Sequence, residues 1–260
     1  MHEQLSVFDW NVRGLNGHAR RDVVREFVRL HRPSFVSLQE TKLQVVPQSL
    51  ATEILGGNYG YEFLPAAGAA GGLLLAWLND RCTVSSVVSN RFIISAQVSE
   101  QRAEPWWFTT VYGPPQDGAD KVQFLHELVQ FRAGTSGAWL LSGDFKMIHR
   151  ASDKSNGRLD RRGMRRFRNF INQAQLDKIQ LVGRAFTWTS ARDQPTLELL
   201  DRMFVTQEWL TRFPALFLRP LSSDCSDHCL ILLQVVDGVQ AKRRFRFEPY
   251  WASVPGFWRW

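Results

Sequence analysis

Residues 5–40 read LSVFDWNVRGLNGHARRDVVREFVRLHRPSFVSLQE, and the order of patterns within them decides the fold class. Leu5–Trp10 is apolar and β-prone, and Arg13-Gly14-Leu15-Asn16-Gly17 closes it with turn-forming residues. From Ala19 to Leu30, apolar side chains at 23, 24, 27, 28 and 30 recur at helical spacing among arginines. Pro33 stops this helix, because a proline ring lacks the N–H and clashes with the preceding turn. Ser34–Gln39 then reads as a second strand. Strand, helix and strand in such short order predict an α/β layered architecture.

Outward from this unit the chain becomes strand-rich. Gly71–Leu78, Cys82–Val88, Phe92–Val98 and Trp106–Tyr112 are β-rich runs with no helical pattern between them, which predicts hairpins and partly antiparallel sheets. A helix is expected at Asp120–Phe131, then a strand at Ala138–Ser142 that ends in Gly143-Asp144-Phe145. A basic helix follows at Arg161–Gln173, with strands near Phe186–Thr189, Leu200–Val205 and His228–Val235. Trp106 and Trp107 are neighbours on a strand and must face opposite ways, one into a core and the other under a helix or loop. After Val236 the periodicity is lost. The sequence divides into a domain at 1–236 and a basic, Trp-rich connector at 237–260.

With 260 residues the chain can bury a substantial core. Hydrophobic and charged fractions of 44% and 22% exclude a disordered or fibrous class. Lys plus Arg outnumber Asp plus Glu by 32 to 25, and the net +7 suggests an anionic partner, nucleic acid first. No apolar run approaches the roughly 18 residues of a membrane span, and the start of the chain lacks a signal-peptide pattern. A soluble, intracellular monomer is expected. Cys82, Cys225 and Cys229 form no even framework, as in a reduced compartment. Cys225, His228 and Cys229 invite a zinc reading, but structural zinc takes two separated ligand pairs and no second Cys/His pair exists. The cysteines are read as packing residues.

Polar residues gather where strands end. Asn11, Glu40 and Asp144 follow strands, and Asp227-His228 precedes one. Singly, each is an ordinary turn or loop residue; together on one rim of a sheet they make a site. In order, Phe8-Asp9-Trp10-Asn11-Val12-Arg13-Gly14, Leu38-Gln39-Glu40-Thr41, Val111-Tyr112-Gly113-Pro114, Gly143-Asp144-Phe145, Leu200-Asp201-Arg202 and Ser226-Asp227-His228 resemble the signatures of the endonuclease/exonuclease/phosphatase superfamily. The resemblance spans residues 5–236. Within it, the helix after the first motif, Gln39-Glu40-Thr41-Lys42, residues 183–189 (GRAFTWT), and the spacing from Pro195-Thr196 to Leu200-Asp201-Arg202 are similar to the endonuclease domain of plant LINE-type (non-LTR) retrotransposons. The RFRFE run at 244–248 resembles the linker toward a reverse transcriptase in such polyproteins, so the tail reads as truncated before that enzyme.

This resemblance implies a four-layer α/β sandwich of two mixed β-sheets flanked by helices. It also implies a Mg²⁺-dependent hydrolase, with Mn²⁺ able to substitute, that nicks DNA without a small-molecule cofactor. Such chemistry needs an activated water, a cation on the phosphate oxygens and a stabilised leaving oxygen. By resemblance Glu40 is the principal metal ligand, a hard oxygen suited to Mg²⁺, with Asn11 in support and Asp227 nearby. Asp144 orients or deprotonates the water. His228 bonds the phosphate, with Asp201 as its partner, while Tyr112 and Thr196 contact the phosphate. Of the basic stretch Arg158, Arg161, Arg162, Arg165, Arg166 and Arg168, half read as a solvated helix face and the rest, Arg162 and Arg166 among them, as following the DNA backbone.

Lys146 departs from the pattern, which after Gly-Asp-Phe usually has Asn. If the strand continued, residues 144 and 146 would point the same way on an exposed rim. The ammonium would pair with Asp144 and lower its basicity, occupy space meant for metal and phosphate, or instead reach the phosphate itself and leave binding intact. The expectation is a folded but severely impaired enzyme, with a DNA-binding remnant as the alternative. A phosphatase of the same superfamily is a third reading, opposed by the positive charge and the polyprotein-like tail. A DNA substrate favours the nucleus over the cytoplasm.

Overall fold

In the computed structural model, which describes residues 5–236 except 69, 101–102 and 117, the opening pattern becomes β1 (Ser6–Asn11), α1 (His18–His31) and β2 (Phe35–Gln39). The connector at 237–260 lies outside the described residues. β1 and β2 pair in parallel with Asn11 opposite Gln39, so α1 is the crossover that returns the chain to its starting end. Both strands are buried throughout, which is why they read as near-continuous apolar runs.

The chain continues through α2 (Gln48–Leu55), β3 (Tyr59–Ala67), β4 (Ala70–Leu78), β5 (Thr83–Ser89) and β6 (Ile93–Glu100). A second crossover follows: β7 (Ala103–Tyr112), α3 (Ala119–Gly134) and β8 (Trp139–Asp144), with Tyr112 opposite Asp144 in a parallel pair. Next come α4 (Arg161–Gln173), β9 (Leu176–Lys178), β10 (Trp188–Thr189) and β11 (Leu197–Glu198). The last elements are β12 (Asp201–Thr206), α5 (Gln207–Arg212), β13 (Leu216–Leu221) and β14 (Leu230–Val235). One six-stranded sheet runs β13-β14-β1-β2-β4-β3 and the other β5-β6-β7-β8-β12-β9, with β10 and β11 forming a separate ribbon. Both large sheets are mixed.

Alternation along the strands sorts side chains into three apolar strata. Val7 meets Phe35, Phe108, Leu140, Met203 and Ile231 between the sheets. Phe8 and Trp10 point the other way, beneath Val24 and Val28 of α1. On the far side Leu141 and Phe204 pack under α3 and α4 with Phe124, Leu128, Phe167 and Phe170. Burying one such side chain contributes about 1.5–3 kcal/mol. Three strata separate four layers, which is the expected sandwich. Trp106 lies between the sheets, edge-on to Phe35 and Trp209, while Trp107 faces Phe131 of α3.

Some expectations need correction. The segment 186–189 is a strand only at β10, and the last strand starts at Leu230 rather than His228. β8 does not run through Lys146. It stops at Asp144, and Lys146 takes a left-handed conformation with φ 50°. Gly143 sets up this ending: its φ is 139°, and a Cβ there would strike the Val111 carbonyl, so only glycine fits beside β7.

Candidate active site

The two crossovers deliver four strand ends to one place. Asn11 ends β1, Glu40 follows β2, Tyr112 ends β7 and Asp144 ends β8. The antiparallel neighbour β12 begins there with Asp201 opposite Asp144, and His228 approaches on the way into β14. The Asn11 amide ties the two sheets together. Its Nδ2 donates to Asp144 Oδ2 at 2.8 Å and to Glu40 Oε2 at 3.3 Å. The Tyr112 hydroxyl donates to the same Glu40 oxygen at 3.1 Å. Glu40 itself has φ 53°, a conformation costly for a non-glycine residue and typical of positions held for function.

His228 is fixed from several sides. Its Nδ1 lies 2.9 Å from Asp201 Oδ2, which makes it the N–H donor to that carboxylate and leaves Nε2 toward the centre. Nε2 is 3.6 Å from Asp144 Oδ2. The Trp10 indole donates to the His228 carbonyl at 3.1 Å, and the Ser226 hydroxyl donates to the Asn11 carbonyl at 2.7 Å. The carboxylate that meets His228 Nδ1 is thus Asp201, while Asp227 lies with Arg13 and Trp188.

Lys146 enters this centre by a turn instead of by strand alternation. Its Nζ is 2.8 Å from Asp144 Oδ2 and 3.2 Å from His228 Nε2. The backbone N–H of Lys146 also donates to Asp144 Oδ1 at 3.0 Å. The rim is not exposed, contrary to expectation. Asn11 and Asp144 are fully buried, His228, Asp201 and Glu40 nearly so, and the Lys146 side chain is 12% exposed. Above them opens a cleft of about 420 Å³ lined by Arg13, Lys121, Lys146, Lys154, Trp188 and Asp227, among others.

Burial would raise the Asp144 carboxyl, but the charges of Lys146 and His228 and the bonds from Lys146 and Asn11 hold it below the usual carboxylate range. Burial likewise opposes ionisation of Glu40, and Arg13 and Lys146 outweigh it. The Lys146 ammonium is destabilised by burial yet pushed up by Asp144. Burial pulls the His228 imidazole down, while Asp201 and Asp144 together lift it above its ordinary value against Lys146. Tyr112 is pushed far up by burial and by Glu40. It stays a neutral donor.

Two cations that sequence reading left without a role belong to the site. Arg13 Nη1 is 3.2 Å from Glu40 Oε1 and its Nε 3.2 Å from Asp227 Oδ1; Lys42 Nζ is 3.4 Å from Glu40 Oε1. Both lie inside quoted motifs, two residues after Asn11 and Glu40, and that spacing was the available signal. Asp227 also accepts the Trp188 indole N–H at 2.9 Å. Thr196 is bonded elsewhere: its hydroxyl accepts from Asn156 at 2.9 Å on the β11 side of the ribbon. All six arginines of the basic stretch are exposed. Arg162 and Arg166 line a neighbouring depression of about 330 Å³ that shares Lys121, Met147, Asp160 and Gly163 with the cleft.

Asp144, Asp201 and His228 bring ligand atoms within 4.8 Å of one another, an acidic/His cluster of the kind that can hold a metal. The closest contact among the three, however, is the His228–Asp201 hydrogen bond, so we read the cluster as an acid–base unit. The zinc reading gains nothing: both ring nitrogens of His228 face other partners, and the Cys229 thiol packs against the Leu221 and Leu230 carbonyls. No helix among the described residues is long and apolar enough to cross a membrane.

Set beside known proteins, this arrangement has a family. The model of the Endonuclease/Exonuclease/phosphatase family matches residues 10–228, and the chain belongs to that family. No curated protein matches the chain in sequence. Among solved structures, the 3′ phosphatase NExo from Neisseria, bound to a product DNA hairpin, superposes with TM-score 0.72 at 18% identity, covering 89% of this chain and 99% of its own. The AP endonuclease LMAP from Leishmania major gives 0.66 at 17% identity, covering 89% and 87%. The endonuclease domain of TRAS1, a telomere-specific non-LTR retrotransposon, gives 0.65 at 12% identity, covering 90% and 98%. At these identities the likeness is one of fold.

Proposed function

We propose that the chain is a Mg²⁺-dependent endonuclease centre of the LINE type that nicks DNA, held at low activity by Lys146. The observation that carries this reading is the convergence of Asn11, Glu40 and Asp144 with the His228–Asp201 pair, next to a cleft that Arg13, Lys146 and Asp227 line. DNA-acting relatives of the same fold support it, as does the net charge of +7. A DNA substrate puts its work in the nucleus.

The donor set suits a small hard cation. Glu40 is an ionised carboxylate and Asp227 adds carboxylate oxygens across Arg13, while Asn11 steadies Glu40 through Nδ2 and its own Oδ1 accepts the Arg13 backbone N–H. Glu40, with Asn11 and Asp227 beside it, would hold Mg²⁺, which when bound supplies positive charge to the phosphate oxygens. The other roles belong to the chain itself. Asp144 takes a proton from water as the water oxygen bonds to phosphorus and the bond to the leaving sugar oxygen breaks. His228, with Nδ1–H donated to Asp201, presents Nε2 to the phosphate, and protonated it donates there. Tyr112 adds a neutral hydroxyl. Lys146 interferes at both ends, on Asp144 Oδ2 and on His228 Nε2.

The test is a supercoiled plasmid with Mg²⁺ and the Lys146→Asn protein. Nicked circles should form, and adding Glu40→Ala should abolish them. Failure of folded Lys146→Asn protein to cut any plasmid defeats the reading. Phosphate release from a 3′-phosphorylated oligonucleotide without nicking turns it into a phosphatase.

A further inference from the structure

The carboxylates at this centre are already met by the chain's own cations. Glu40, Asp144, Asp201 and Asp227 bring four negative charges; Arg13, Lys42 and Lys146 bring three positive ones within 4 Å of three of them, and His228 is paired with the fourth. An empty anionic centre repels a phosphodiester until an added cation neutralises it. Here the protein has done so itself.

We infer that Lys146 supplies the charge for metal-independent binding of a nucleic-acid phosphodiester at this centre, so that its ammonium on Asp144 and Mg²⁺ on the neighbouring Glu40 are alternative sources of positive charge. The inference rests on the nucleic-acid reading above. An ammonium has three N–H donors. Two of those of Lys146 face Asp144 Oδ2 and His228 Nε2, and the side chain lines the cleft, so a donor remains for a phosphate oxygen. The stem is held: Nζ lies 5.7 Å from the centre of the Tyr112 ring, and the Lys146 N–H is anchored on Asp144 Oδ1. Such preorganisation lowers the ordering cost of binding. Asn at this position offers an amide without charge and leaves Asp144 facing the phosphate unneutralised.

The experiment measures the affinity of a short fluorescent DNA duplex by anisotropy, in EDTA and in Mg²⁺ at matched ionic strength, for the wild-type chain, Lys146→Gln and Lys146→Met. The wild type should bind equally in both buffers. Both variants should lose about ten-fold or more in EDTA, as for a lost charge-assisted bond, and regain affinity with Mg²⁺. Thermal melting without DNA gives a second readout. Mg²⁺ should raise the melting temperature of the variants more than that of the wild type. Wild-type binding that needs Mg²⁺, or variants indistinguishable from wild type in EDTA and in melting, overturns this inference and leaves the nuclease reading standing. No duplex binding by any folded form in either buffer overturns both.

Discussion

The Lys146 ammonium lies 2.8 Å from the Asp144 carboxylate, the group that the proposed mechanism uses to take a proton from water. The contact is almost dry and holds Asp144 well below the usual carboxylate range, with Lys146 the strongest of the forces lowering it. A base so stabilised is a poor base. Replacing the ammonium with a neutral amide frees Asp144 and restores a donor suited to the phosphate. Lys146→Asn should therefore raise the plasmid-nicking rate in Mg²⁺ by about two to three orders of magnitude, the range for one transition-state donor. Wild-type protein that already nicks at the rate of the variant shows the lysine to be harmless.

Much of this arrangement was legible because strand ends announce themselves. β1, α1 and β2 follow from apolar runs, one helical period and Pro33, and the residues at the strand termini became the site. Elements with weaker texture were not anticipated. β3 is half-exposed and follows Gly56-Gly57, while β13 carries Pro220, tolerable because β13 is an edge strand. The contact of Lys146 with Asp144 was expected, but for the wrong reason: it depends on a left-handed turn, which no period-two reasoning contains. Arg13 and Lys42 were in view as letters, yet their role needs Glu40 and Asp227 brought together in space.

Beneath the site lies a buried carboxylate that the chemistry does not use. Asp9 Oδ2 accepts bonds from Ser37, Gln39 and Ser142, while Oδ1 is buried without a hydrogen-bond partner among the described residues. Burial, against those bonds, pushes its carboxyl from 3.8 to about 7. The folded protein thus keeps a proton that the unfolded chain releases above pH 3.8, so stability falls as pH rises through this window and levels off beyond about 7. The full effect is at most about 4 kcal/mol. Denaturant melts at pH 5 and pH 8 should show Asp9→Asn losing most of this dependence; equal slopes for the two proteins would clear Asp9 of the role.

Arg162 and Arg166 project from α4 into the depression that adjoins the cleft. Phosphate contacts release counterions, and each steepens the salt dependence of affinity by about 0.9 in a log–log plot. Replacing both arginines with Ala should weaken binding to all duplex sequences alike and flatten the slope by up to about 2. An unchanged slope in a salt titration assigns them to the solvated face with the other arginines.

The His228–Asp201 pair gives the clearest pH signature. Burial alone would lower the imidazole, but Asp201 first and Asp144 second raise it above 6.5. Protonated His228 therefore stabilises the fold fully below pH 6.5, and that contribution is lost as pH climbs through the raised value. Asp201→Asn removes the larger of the two lifting charges and the anchor for Nδ1–H. In an NMR titration the His228 resonance should move its midpoint to lower pH. In the Lys146→Asn background the same change should cut nicking by about two to four orders of magnitude, as when the partner of a catalytic histidine is neutralised. The alkaline limb of the rate profile should shift toward acid with it, because a histidine that donates to phosphate works only while protonated. A midpoint and limb left in place by Asp201→Asn would mean that Asp144, not Asp201, governs His228.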